Sequence, residues 1–150
     1  MSTEKLHFEI GLGSTHWGKH PKCTILVDKA VQFTGFIADS QAVKFDVELE
    51  EAEHLLEIRL ENKENDDTVQ SADFKTIEKD LLLNIESLAI DNIDVSNLRW
   101  TKSEYILDEP AEIEPGVFKD KYTGCVNLGH NGSWQFKFTS PFYIWLLENL

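Results

Sequence analysis

The sequence is poor in the residues that build special architectures. Only 2 cysteines, 4 prolines and 8 glycines occur in 150 residues. Those counts exclude a disulfide-framework miniprotein, a collagen-like repeat and a proline- or glycine-rich linker. Cys23 and Cys125 show neither zinc-ligand spacing nor a motif that would lower a thiol pKa. They could pair, but the expectation is two reduced, half-buried thiols in a reducing compartment. Long hydrophobic runs are missing too. The strongest, Phe142 to Leu147, falls far short of the roughly 18–20 residues of a spanning helix. Met1 to Lys5 is polar, without the charged and apolar regions of a secretory signal, so a cytoplasmic or virion location is expected. Cations are scarce: 14 Lys and Arg face 27 Asp and Glu, a formal net charge of −13. Such a surface repels phosphate backbones and anionic lipid, so neither nucleic acid nor membrane is an expected partner.

What is present is alternation. Leu6, Phe8, Ile10 and Leu12 alternate with polar or glycine residues, as do Val43 to Leu49, Leu56 to Leu60 and Trp134 to Phe138. A period of two puts one apolar face on a core and one polar face in water, the mark of antiparallel sheets. Thr24 to Val27 and Val31 to Phe36 flank Asp28-Lys29 and predict a hairpin. Between Leu81 and Val95 the pattern changes phase between residues 85 and 88, which a bulge near Glu86-Ser87 or a short turn would explain. Residues 47–60 contain EEAEHLLE, a helix-forming composition, yet alternation on both sides favours two strands joined by a tight turn at 50–53. Asn131-Gly132 predicts a hairpin turn, and Pro110 to Lys121 an excursion from the sheets. Short helical turns are expected at Asp94 to Leu98 and Tyr143 to Glu148. The whole chain, 1–150, thus predicts one all-β domain, an antiparallel β-sandwich of jelly-roll type with short helical turns.

Candidate site residues lie in the loops. Asn62, Asn65, Asp66 and Asp67, with Asp80 at the next strand start, supply oxygens of the kind a calcium ion collects, although no EF-hand spacing is present. A solvated acidic turn is the simpler alternative. His16 and His20 share a loop broken by Gly13, Gly18 and Pro21, and His130 lies in a second turn that would join them if both loops crown one end. Trp17, in the polar loop, is the aromatic best placed to pack on a sugar ring. Enzyme signatures such as GxSxG, a P-loop or GxGxxG are missing, so catalysis is not expected. The apolar end, Phe142, Tyr143, Trp145, Leu146 and Leu150, either closes the sandwich or forms a subunit interface.

Residues 55–95 carry a resemblance. Ile58, Leu60 and Asn62 run into the acidic loop, and Asp80, Leu83, Ile85, Leu88 and Ile90 follow it. This arrangement resembles calcium-dependent, xylan-binding-type carbohydrate-binding modules, with Asn92-Ile93-Asp94 where that family has a glycine. The resemblance implies non-catalytic glycan binding with calcium near the loop. Two functions are carried forward. One is a binding module using Asn62, Asn65, Asp66, Asp67 and Asp80 for calcium and His16, Trp17 and His130 for the ligand. The other is a structural or interaction protein, such as a bacteriophage virion or accessory protein, that meets a protein partner or a second copy through its apolar end.

Overall fold

Alternation becomes strand wherever the sequence carries it. The computed structural model describes residues 2–73 and 76–150. In chain order its strands are β1 (Thr3–Thr15), β2 (Lys22–Val27), β3 (Ala30–Phe36), β4 (Gln41–Glu50), β5 (Glu53–Leu60), β6 (Val69–Gln70), β7 (Ile77–Lys79), β8 (Leu82–Ile90), β9 (Ile93–Asp94), β10 (Ser103–Glu114), β11 (Val117–Thr123), β12 (Asn127–Leu128) and β13 (Gly132–Thr139). A short helix, α1 (Leu98–Thr101), precedes β10, and α2 (Phe142–Asn149) follows β13. One sheet has the order β12-β8-β1-β4 with β9 beside β8, and a six-stranded sheet has the order β11-β10-β13-β5-β2-β3. A small third sheet pairs β6 with β7. Every pairing is antiparallel, and the two large sheets enclose one core, so the fold is an antiparallel β-sandwich.

The core follows from the period of two. Leu6, Phe8, Ile10 and Leu12 on β1 are wholly buried, opposite Leu56, Ile58, Leu60, Trp134 and Phe136 of the other sheet. Phe8 stacks on Phe45 of the neighbouring strand with ring centroids 5.0 Å apart. Each such aliphatic or aromatic side chain stabilises the fold by about 1.5–3 kcal/mol through burial. The Asp28-Lys29 hairpin forms as predicted, with both residues at left-handed φ (49° and 70°), the geometry of a type I′ turn. The phase change in β8 is a bulge: Gly11 pairs with Ser87 and Leu12 with Ile85, leaving Glu86 as the extra residue. A separate left-handed pair, Asp91-Asn92, then turns β8 into β9. Cys23 and Cys125 are both free thiols, and burial pushes Cys23 up to about 12.

Residues 47–60 are two strands joined by a tight turn, as the alternation predicts; β4 and β5 belong to different sheets, so that turn crosses the sandwich. Other expectations are corrected. Asn131-Gly132 does not close a hairpin; it carries the chain from β12 in one sheet to β13 in the other. Residues 110–121 stay in the six-stranded sheet as the β10–β11 hairpin, turning at Gly116 with φ +78°. The helical turn expected at Asp94 to Leu98 starts at Leu98 instead, because Ile93–Asp94 is spent on pairing with β8. Phe74 and Lys75 lie outside the described residues. At the C-terminus, Phe142 and Leu146 are buried and Trp145 packs on Phe136, so these residues belong to the chain's own core.

Candidate functional site

One end of the sandwich is built from three loops tied together by their own polar groups. Residues 16–21 join β1 to β2, residues 61–68 leave β5, and Gly129 to Asn131 lead into β13. Asn62 staples the first two: its Oδ1 accepts the Lys22 N–H (2.8 Å) and its Nδ2 donates to the His20 carbonyl (2.9 Å). Asn131 staples the second and third, accepting the Lys63 N–H at 2.7 Å and donating to the Lys63 carbonyl at 2.9 Å. The reciprocal pair imitates a rung of sheet between loops that cannot pair through backbone alone. Beneath them the buried Tyr105 hydroxyl accepts the His130 N–H (3.0 Å) and donates to the His130 carbonyl. This holds the His130 loop over the end of β10.

These loops frame a cleft of about 560 Å³, within the size range of small-ligand sites. Lys63, Glu64, Asn65, Thr68 and Gln70 form one wall, Asp108 to Glu112 of β10 the other, and Gly129 to Asn131 the end. Pro110 lies where the β10–β11 register breaks, between Ile106 and Ala111, and that irregularity lets the wall bend around the space. Arg59 anchors the wall from below through two bonds to Asp108, at 2.8 and 2.9 Å. The side chains of Asn65, Gln70, Glu109, Glu112 and His130 form no hydrogen bond with the other described residues. Burial and the neighbouring Lys63 charge hold His130 below the usual imidazole range, so at neutral pH its ring can both donate and accept.

The expected calcium set is arranged differently from a metal cage. Lys63, 11% exposed, places its ammonium 2.5 Å from Asp80 Oδ1 and donates to the Leu81 carbonyl at 3.0 Å. The same Asp80 oxygen accepts Thr68 Oγ1 and the Leu81 N–H at 2.7 and 2.8 Å. Burial alone would raise this carboxyl; the Lys63, Thr68 and Leu81 bonds overcome it and hold Asp80 below the usual carboxylate range. Asp67 repeats the pattern, accepting the Glu64 N–H at 2.7 Å and Lys19 Nζ at 2.8 Å. Asn65 and Asp66 are exposed on the short 3-10 turn Asn65–Asp67. Among the described residues no three His, Cys, Asp or Glu side chains gather as a metal site. Asp80 Oδ1 and Asp67 Oδ2 are thus each taken by an ammonium and an N–H donor, whereas calcium collects six to eight oxygens.

Of the expected ligand residues, His130 lines the cleft, whereas Trp17 and His16 stand beside it. Trp17 Nε1 donates to the Asp67 carbonyl at 2.8 Å and its ring lies under Lys79 Nζ, 4.8 Å from the centroid. His16 packs edge-on against His20, centroids 4.4 Å apart. The tryptophan therefore props the acidic turn from below. Lys63, Gln70, Glu109 and Asn131 were not among the sequence candidates. Lys63 sits within the acidic run itself, a lone cation among anions, and that was the signal available. Gln70 and Glu109 enter only because the β10 register break faces the 61–70 segment, which has no local signature.

No family profile matches this sequence, and no curated protein does. Among solved structures, the chain is similar in fold to one described as vCBM60 in complex with galactobiose, with a TM-score of 0.51 at 8% identity. The similarity covers 87% of this chain and 96% of the other. At that identity the likeness is one of fold, a resemblance to the β-sandwich of a carbohydrate-binding module.

Proposed function

We propose that this protein is a non-catalytic glycan-binding module that takes a short neutral saccharide in the cleft between the 61–70 loop and β10. The observation that carries the reading is the lining: free amides at Asn65 and Gln70, a neutral imidazole at His130 and carboxylates at Glu109 and Glu112. Sugar hydroxyls donate and accept at once, and this set offers both. Lys63 adds a donor, since its ammonium has three protons and makes two bonds within the protein. Among the described residues no Phe, Tyr or Trp lines the space, and the reading rests on hydrogen bonds. Net gains of about 1 kcal/mol per neutral bond then give affinities on the order of 0.1–1 mM. The similar fold solved with galactobiose supports the reading at the level of architecture.

Titration of labelled protein with galactobiose and xylo-oligosaccharides, followed by amide chemical shifts, tests it. Saturable shifts should concentrate at Asn65, Gln70 and His130. His130→Ala should weaken binding about five-fold, the equivalent of one lost neutral hydrogen bond. Unchanged spectra across a panel of neutral glycans at high concentration would refute the reading. One observation favours a second function, self-association as a structural protein. Ile144, Leu147 and Leu150 lie 56%, 76% and 84% exposed along one stripe of the C-terminal segment.

A further inference from the structure

We propose that Lys63, with Lys19 beside it, is the resident cation of this end of the sandwich, so that the loops around the cleft keep their shape without a divalent metal. Acidic loops in one place need positive charge, and metal-binding loops obtain it from an ion. Here the chain supplies it. A single oxygen, Asp80 Oδ1, receives Lys63 Nζ, Thr68 Oγ1 and the Leu81 N–H, all within 2.8 Å. A metal ion at that oxygen would have to displace the ammonium and face an N–H fixed by the backbone, which cannot turn away. Lys63 reaches the site from the loop and ties it to the start of β8 through the Leu81 carbonyl, the joining role a bridging ion would have. Lys19 does the same a turn away, bridging the Asn62 carbonyl at 2.7 Å and Asp67 at 2.8 Å, with Glu64 at 3.6 Å. Asn62, the other expected ligand here, turns its side-chain oxygen to the Lys22 N–H at 2.8 Å. The inference concerns how the loops are held, and its readouts are thermal, so it stands or falls separately from glycan binding.

The test is the melting temperature of the full chain, first in EDTA and then with excess calcium chloride. The expected result is the same Tm in both. Lys63→Met should lower Tm by roughly 5 °C or more, because it leaves a half-buried carboxylate without its cation. Lys63→Arg should keep most of the stability. Adding Asp80→Asn to Lys63→Met should cost little more, since the pair is lost only once. A saturable rise in the Tm of the unaltered protein with calcium would overturn the inference, and so would a Lys63→Met variant that melts with it. If Lys63→Met fails to fold, the metal comparison on the unaltered chain and the Lys63→Arg variant still decide.

Discussion

Glu57 lies on the outer face of β5, yet it is 3% exposed. Its neighbours across the sheet are Leu26 and Gln135. One carboxylate oxygen is 2.7 Å from Lys29 Nζ and the other accepts Ser133 Oγ at 2.6 Å. Burial pushes this carboxyl up, but the Lys29 and Ser133 bonds outweigh it and hold Glu57 below the usual glutamate range. A carboxylate whose folded pKa is depressed adds stability above its unfolded value, near pH 4.3, and loses that contribution as pH falls through the folded value. Glu57→Gln should therefore lower stability by about 1–3 kcal/mol at neutral pH and flatten the acid side of the stability curve. Thermal melts between about pH 3 and about pH 7 check this. A variant with the full acid slope of the parent would show that other carboxylates carry it.

At the scale of elements, what the sequence displayed was what local physics decides. The strands of β1, β4, β5 and β13 carry their alternation in full view, the turn at Asp28-Lys29 shows as the break between two β-rich runs, and the bulge at Glu86 shows as a slipped phase. What stayed hidden was which strand pairs with which. The 50–53 and 131–132 turns look like hairpins because short polar links do usually join partners, but both cross between sheets. The cleft was hidden for the same reason: the acidic loop and Asp80 are visible in sequence, while the wall from Asp108 to Glu112 arrives through non-local pairing. Gly132 shows how the turn prediction went astray. Its φ is not left-handed; a Cβ there would stand 2.4 Å from the Ile106 carbonyl oxygen and 2.9 Å from Leu107 Cα. The glycine permits close approach of β13 to β10 next to Asn131. Both obstacles are backbone, so Gly132→Ala should destabilise by about 1–3 kcal/mol, a fall in Tm of roughly 3–10 °C. Differential scanning calorimetry measures it, and a variant within a degree or so of the parent would mean that the two strands can separate at little cost.

For the whole molecule two long-range properties compete. The net charge of −13 drives copies apart, while the apolar stripe exposed on the C-terminal segment would favour contact between them. In α2 the inner stripe, Phe142 and Leu146, docks on the core with Trp145, whose ring lies 5.7 Å from Phe136. The outer stripe, Tyr143, Ile144 and Leu147, continues into Leu150 and faces water. A helix apolar on both sides is half satisfied by its own sandwich, and the remainder is the feature that an interface would use. Repulsion between exposed charges weakens with salt, with a screening length of about 10 Å at 0.1 M, whereas apolar association does not. Self-association through α2 should therefore strengthen as salt and protein concentration rise. Light scattering coupled to size exclusion reads the mass directly. Ile144→Asp with Leu147→Asp should return the protein to a monomer at every salt concentration, and these exposed positions can change without emptying the core. A monomeric mass for the unaltered chain at high salt would remove the structural role and leave the cleft as the molecule's functional surface.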